Sequence, residues 1–333
     1  MINTIYIEKA VAEHPRTQTV LERFSQAVSI ECERYGEVFN PRSQSFRLQK
    51  KRPSLILAEK YKNHVLPAPE GYGIGGQRNY YFSHMLNCLY DCRYCFLQGM
   101  YRSAHYVFFV NYEDFKREIE QVLKQNPERD VYFFSGYDCD SLALDSVTDF
   151  VKEFVPFFSE RPRGILELRT KSCNVEPLLE LEAVPNCVVA YSLSPDAVAK
   201  ALEHKAPPLR ARLGAIKKLA DAGWPIGLRF DPLVYHEDFR DSYREFFKEV
   251  FGIISSEQVH SISFGPMRFP KPMFDKIAKL YPDEPLFAGP MSLRGTMISY
   301  DKEREQEMMD FCSQELRRYA PESLFFNCMP ESP

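Results

Sequence analysis

Cys88-Leu-Tyr-Asp-Cys92-Arg-Tyr94-Cys95 is the stretch on which the fold turns. Its three cysteines stand in a C-x3-C-x2-C spacing, with an aromatic residue just before the last. Three thiolates hold three irons of a [4Fe–4S] cluster and leave the fourth iron open to a ligand that is not protein. An open iron points to chemistry, whereas a fully ligated cluster usually serves electron transfer alone. Two blander readings compete with this one. Buried thiols behave as small hydrophobes, and Cys32, Cys139, Cys173, Cys187, Cys312 and Cys328 are scattered along the chain as such thiols would be. A zinc site wants a fourth ligand close by, and the nearest histidines, His84 and His105, complete no zinc pattern.

Beyond the cysteines the chain alternates strand and helix. Short apolar runs rich in Val, Ile, Tyr and Phe predict strands at Tyr80–Leu86, Val131–Ser135, Gly164–Leu168, Cys187–Leu193, Ile226–Phe230 and Ser261–Phe264. Helical patterns fall near 113–124, 142–158, 174–182, 207–222 and 239–254; in the fourth, Leu209, Leu213, Ile216 and Leu219 recur at helical spacing before Gly223. Six β/α units in series imply a parallel sheet with right-handed crossovers. The expected fold is α/β, a partial (β/α)6 TIM-type barrel over residues 76–285. Sites in such sheets lie at the carboxyl ends of the strands, and Cys88 follows the end of the first.

The flanks read differently. Residues 1–75 form an expected N-terminal extension packing on the barrel. In it Val11 to Tyr35 predicts one amphipathic helix, Arg42–Arg52 is basic, Ser54–Ala58 is strand-like, and Gly71–Gly76 is a flexible lead-in. Those glycines lack the G-x-G-x-x-G spacing of a dinucleotide site. Residues 286–333 form a C-terminal extension: a hairpin over Ala288–Tyr300 turning near Arg294-Gly295, a helix over 301–318, and a short strand near Leu324–Phe326.

Composition bounds the rest. The chain has 333 residues, 44% hydrophobic and 26% charged, as in an ordinary globular protein. No run of about 18 apolar residues is present, so no membrane span is expected. The N-terminus lacks a basic start followed by an apolar core, so no signal peptide is expected. Nine cysteines without an export signal point to a reducing cytoplasm. A net charge of −4 makes the whole molecule no magnet for nucleic acid, so any such binding must come from a local patch.

The expected strand ends are polar where a core would allow apolar residues. They carry Ser135-Gly-Tyr-Asp-Cys-Asp-Ser141, Arg169-Thr-Lys-Ser172, Tyr191-Ser-Leu-Ser194 and Asp231-Pro232. Solvated loops would look the same one residue at a time; together these could ring one mouth of the barrel. A cofactor with both an amino group and a carboxylate could chelate the open iron, and S-adenosylmethionine has both. Reductive cleavage of its sulfonium gives an alkyl radical that abstracts hydrogen. Lys171 could neutralise the carboxylate, and Ser141 and Ser192 could supply hydrogen bonds.

With Tyr94 before Cys95, the cysteine motif resembles the radical S-adenosylmethionine signature. More narrowly, the chain resembles the spore photoproduct lyase family, which repairs the UV-induced thymine dimer of spore DNA. The likeness runs through Ile5-Tyr-Ile-Glu, Tyr94-Cys-Phe-Leu-Gln98, Tyr106–Tyr112, Asp138-Cys-Asp-Ser141, Thr170-Lys171, Tyr191-Ser-Leu-Ser194, and Ala222-Gly-Trp-Pro-Ile-Gly227 followed by Asp231-Pro. It spans about residues 4 to 327. The resemblance implies that Cys88, Cys92 and Cys95 ligate the cluster, and that Ser141, Lys171 and Ser192 contact S-adenosylmethionine. It implies that Cys139 returns a hydrogen atom to the product radical. It implies tyrosines on both sides of the third cluster cysteine, passing hydrogen back to the cofactor; here Tyr94 is kept and Phe96 stands in the second place.

DNA recognition would need cations along the backbone and a wedge at the lesion. The hairpin with Arg294, Tyr300 and Lys302 is the candidate wedge, and Arg42–Arg52 could add phosphate contacts. A lyase of this kind is expected to act as a monomer on DNA holding a thymine photoproduct, with an electron donor such as flavodoxin or ferredoxin. Two other functions stay open: a radical enzyme of the same family acting on another nucleic acid or a small molecule, for which Phe96 speaks, and an iron–sulfur electron-transfer protein without a substrate.

Overall fold

The alternation predicted after residue 79 is what the chain builds. A computed structural model describes residues 2–326; Cys328 lies outside them. Strands Asn79–Tyr81, Val131–Phe134, Gly164–Thr170, Cys187–Ser192, Ile226–Leu233 and Val259–Pro266 pair side by side in sequence order, all parallel. Phe325–Phe326 adds a further parallel strand at one edge, and Leu66–Pro67 an antiparallel one at the other. The sheet curls as a half-barrel, with helices Tyr112–Gln125, Phe150–Ser159, Leu209–Asp221, Phe239–Phe251 and Lys302–Leu316 among the crossovers. Cys187–Ser192 is buried at every residue, as a strand covered on both faces must be.

The concave face carries a buried charge network. Arg229, 0% exposed, donates to Glu167 Oε2 at 2.8 Å and to Ser261 Oγ at 2.8 Å. Arg169 Nε donates to Glu167 Oε1 at 2.8 Å. Residues 167 and 169 share a face by strand alternation, so the network ties three strands beneath the mouth of the barrel. Burial opposes ionisation of Glu167, but the two guanidiniums hold its carboxyl below the usual range.

Several expectations differ from the structure. The helix expected from Val11 to Tyr35 is helix Pro15–Arg23, strand Val28–Cys32 and helix Tyr35–Phe39. Pro15 opens the first helix, with His14 Nδ1 accepting from the Arg16 N–H. The β-branched Val28-Ser-Ile-Glu-Cys32 then pairs in parallel with Thr4–Glu8. The helix near 142–158 is interrupted because Asp149 sits in the left-handed region at φ 50°. A helix at Lys271–Leu280 was not expected, since Pro270 and Pro272 obscure its start.

The strand expected at Tyr80–Leu86 belongs to two sheets. Asn79–Tyr81 joins the barrel, whereas Met85–Leu86 pairs antiparallel with Tyr106–Phe109. That second strand is parallel to Leu55–Ala58, which is parallel to Thr4–Glu8. The division drawn at residues 75 and 76 therefore cuts a five-stranded sheet, and the segment entering the cysteines is part of the N-terminal layer. The hairpin expected at the other end is present as Met291–Arg294 and Met297–Tyr300, turning at Gly295 with φ 59°. It is pinned to Arg268–Pro270.

Candidate functional site

The carboxyl ends of the barrel strands open on a cavity of about 300 Å³. Cys88, Cys92 and Cys95 line it together with Tyr94, Phe96, Tyr137, Cys139, Asp140, Lys171 and Ser192. Residues from Lys50 to Arg268 meet there because the strand ends converge on one mouth.

The cysteine segment is fixed from both sides. Asn87 takes a left-handed conformation, φ 68°, and its amide donates to the carbonyls of Ser103 and His105 at 2.8 and 2.7 Å. Asp91–Cys92 pairs antiparallel with Glu203–His204, and the Arg93 N–H donates to the Leu202 carbonyl at 2.8 Å. Lys50, 5% exposed, donates to the carbonyls of Cys88 and Tyr90 at 2.8 and 2.9 Å. Lys50 was grouped in the sequence with DNA-facing cations; the structure turns it inward.

Three thiols on one cavity are a soft donor set suited to iron–sulfur chemistry. The Tyr90 N–H donates to Cys88 Sγ at 3.4 Å. Burial pushes all three thiols up, while Lys50 or Lys171 pulls each back. In an iron–sulfur cluster each thiolate would take its own iron. The residues present fit the cluster, and Lys171 and Ser192 beside it fit a carboxylate-bearing ligand.

Behind the cavity wall lies a second charged network. Tyr94 donates its O–H to Glu203, which also accepts from Arg212 and, at 3.1 Å, from Ser194 Oγ. Lys171 Nζ stands 3.9 Å from the same carboxylate and 5.6 Å from the Tyr94 ring centre. Burial opposes ionisation of Glu203, yet Lys171 and Arg212 hold its carboxyl below the usual range. Nothing in the spacing of Glu203 or Arg212 marks them in the sequence; their signal is only that charged residues buried this deeply need partners.

Cys139 is 7% exposed, and its S–H donates to the Ser135 carbonyl at 3.6 Å. Burial pushes the thiol well above its ordinary value, so it stays protonated at neutral pH. The next residue, Asp140, accepts from Thr170 Oγ1 and the Lys171 N–H, both at 2.7 Å. It thereby locks the Cys139 loop to the Lys171 loop. Gly136 permits the same approach: a Cβ there would lie 2.8 Å from Arg169 Cβ and 2.9 Å from its carbonyl oxygen.

Not every expected residue meets the cavity. Ser141 is 1% exposed and sits behind the lining, its Oγ 2.8 Å from Ser135 Oγ. Arg294 donates to the Tyr300 carbonyl at 3.0 Å and pairs with Glu305. Tyr300, expected at a wedge, is 2% exposed, and its hydroxyl accepts from the Tyr235 N–H at 2.9 Å. Its ring serves the core because the strand's alternation turns it inward. Lys302 is exposed at the start of the last helix. Of the hairpin's large apolar residues, Leu293 is 51% exposed.

A curled half-barrel with three cysteines at its mouth defines the radical S-adenosylmethionine class. The family model "Spore photoproduct lyase" matches residues 77–324, and the chain belongs to that family. It is 25% identical over 284 residues to the spore photoproduct lyase of Bacillus subtilis, covering 84% of this chain and 82% of that one. With the spore photoproduct lyase of Clostridium acetobutylicum it is 20% identical over 337 residues, covering 96% of each. The fold matches a solved spore photoproduct lyase mutant with bound AdoMet and dinucleoside spore photoproduct at a TM-score of 0.84, 20% identity, and coverage of 96% and 97%. Another solved lyase, complexed with dinucleoside spore photoproduct, matches at 0.82 and 19% identity, covering 98% of this chain and 99% of that one. No helix among the described residues is long and apolar enough to cross a membrane.

Proposed function

We propose that this chain is a radical S-adenosylmethionine lyase that repairs the thymine photoproduct of DNA. The observation that carries the reading is Cys139: a protonated thiol placed on the same cavity as Cys88, Cys92, Cys95, Lys171 and Ser192. When bound, a [4Fe–4S] cluster would relay one electron to S-adenosylmethionine, whose reductive cleavage would supply the hydrogen-abstracting alkyl radical. Cys88, Cys92 and Cys95 hold the cluster. Lys171 and Ser192 would bind the carboxylate end of the cofactor, and Ser141 braces the Cys139 loop beside them through Ser135 and the Arg169 carbonyl. After the lesion radical fragments, Cys139 gives its hydrogen atom to the product. Tyr94 stands beside the cluster with its O–H directed to Glu203. The hairpin region is read as the DNA-contacting element, a reading supported by the exposed Leu293 and Lys302, while Arg294 braces the hairpin through Glu305. A flavodoxin or ferredoxin supplies the electron, and the chain acts as a monomer in the cytoplasm.

Phe96 on the cavity wall supports a second reading, in which the same chemistry acts on another nucleic acid or small molecule. Anaerobic incubation of reconstituted protein with a dinucleoside spore photoproduct decides between them. The lyase reading expects release of the thymine dinucleotide; no release by the unaltered protein sinks it. Normal products from Cys139→Ala would remove the quenching role from that thiol.

A further inference from the structure

Phe96 cannot carry a hydrogen atom, and the residue packed against it can. The rings of Phe96 and Tyr137 lie 5.6 Å apart, and both line the cavity with Cys139. Tyr137 precedes Cys139 by two residues on the loop after strand Val131–Phe134. Its ring is held by Tyr81 at 4.4 Å and Tyr72 at 5.5 Å. The Tyr94 hydroxyl is committed to Glu203, behind the cavity wall. Among the described residues the Tyr137 hydroxyl has no hydrogen-bond partner. Burial raises its phenol, so the O–H is intact at neutral pH.

We propose that Tyr137 is the hydrogen-atom carrier that serves Cys139 in this chain, supplying from the neighbouring loop the phenol that position 96 lacks. The proposal rests on the lyase reading above. Its steps balance as single hydrogen-atom transfers. The S–H bond of Cys139 breaks as a C–H bond forms on the product radical, leaving a thiyl. The O–H bond of Tyr137 breaks as the S–H bond re-forms, leaving a phenoxyl radical. The phenoxyl recovers its hydrogen from the methyl C–H of 5′-deoxyadenosine, the nucleoside made when the lesion lost its hydrogen; the 5′-deoxyadenosyl radical so re-formed would rejoin methionine as S-adenosylmethionine and return one electron to the cluster. Each transfer carries one proton and one electron, so no outside oxidant or reductant enters. Thiol S–H and phenol O–H bonds are of similar strength, so the middle exchange runs without a large penalty. The Phe96 ring packs against the Tyr137 ring and helps hold it in place.

The test uses the full chain, reconstituted anaerobically, with a dinucleoside spore photoproduct. Three quantities are read: 5′-deoxyadenosine accumulated per dinucleotide repaired, lesion affinity, and the radical signal of freeze-quenched samples with and without ring-deuterated tyrosine. The unaltered protein should accumulate well under one nucleoside per repair. Tyr137→Phe, which keeps the ring packing, should raise that ratio severalfold, leave lesion affinity within about twofold, and lose the tyrosine-dependent signal. Tyr137→Phe combined with Phe96→Tyr should bring the ratio back down. An unchanged ratio in Tyr137→Phe, a ratio already at one in the unaltered protein, or an effect on affinity alone overturns the proposal while repair itself stands. No repair by the unaltered protein overturns the lyase reading and this one with it.

Discussion

Lys50 donates to the carbonyl of Cys88 at 2.8 Å from a helix 38 residues upstream. Its second bond, to the Tyr90 carbonyl, spans the first loop of the cysteine motif. One ammonium thus ties together the first residues of the segment that must hold its shape around a cluster, and places a positive charge beside thiolates.

Lys50→Met removes the donor and leaves two buried carbonyls without it. The expected loss is about 1–3 kcal/mol of stability, together with less iron retained per chain after reconstitution. Thermal unfolding of the iron-free protein and iron content of the reconstituted one check the two effects. Full iron and an unchanged Tm would show that the loop holds itself.

Gly136→Ala forces the Cys139 loop away from Arg169, because a Cβ would stand 2.8 Å from Arg169 Cβ and 2.9 Å from backbone. Overpacking of this kind costs about 1–3 kcal/mol. The larger effect should fall on the cofactor, since the same displacement pulls Asp140 from Lys171. Equilibrium binding of S-adenosylmethionine should weaken about tenfold or more, roughly 1.4 kcal/mol. Unchanged affinity would separate the two loops functionally.

Asp145 gives a pH dependence with a definite sign. Burial raises its carboxyl from 3.8 to about 6. The folded state therefore holds a proton that the unfolded state has lost, and this group's stability contribution is lost as pH rises from about 4 through about 6. Asp145→Asn keeps an oxygen to accept the Val151 N–H, bonded now at 2.8 Å, and removes the charge. It should be more stable than the unaltered protein by about 1–3 kcal/mol above pH 6.5 and no more stable near pH 4. Urea unfolding at both pH values measures this; an equal effect at the two would assign the change to packing.

The hairpin is testable by substrate length. Leu293→Ser and Lys302→Ala alter exposed residues. On a photoproduct within a duplex oligonucleotide, each should lower turnover a few-fold, and Lys302→Ala should flatten the salt dependence. On the dinucleoside, both should match the unaltered protein. Equal losses on the two substrates would move the DNA-contacting surface elsewhere.

Much of the barrel is legible in the sequence because each of its strands is a short apolar run ending in polar residues. Cys139, Lys171 and Ser192 follow such runs, and the fold brings them to the cysteines as strand order requires. What escaped is what depends on partners distant in the chain. Lys50 looks like its solvated neighbours Arg47 and Lys51, and only the carbonyls of Cys88 and Tyr90 turn it inward. Glu203 lies in a two-residue strand whose existence depends on Cys92. Tyr300 reads as an aromatic at a hairpin end; the Tyr235 N–H that buries its hydroxyl is 65 residues away. Val11 to Tyr35 carries an amphipathic pattern, but Thr4–Glu8 offers an open edge that claims Val28–Cys32 for a sheet.

The five-stranded layer that receives Met85–Leu86 sets an order of events at the ribosome. Chains fold as they emerge, N-terminal parts first. Strands Thr4–Glu8, Val28–Cys32 and Leu55–Ala58 are all synthesised before Cys88, and Tyr106–Phe109 follows within a few turns of elongation. The cysteine segment therefore meets one of its two walls almost as soon as it is made. The other wall, Glu203–His204, comes a hundred residues later. Between those moments the nascent chain carries its three thiols on a support with only one of its two walls.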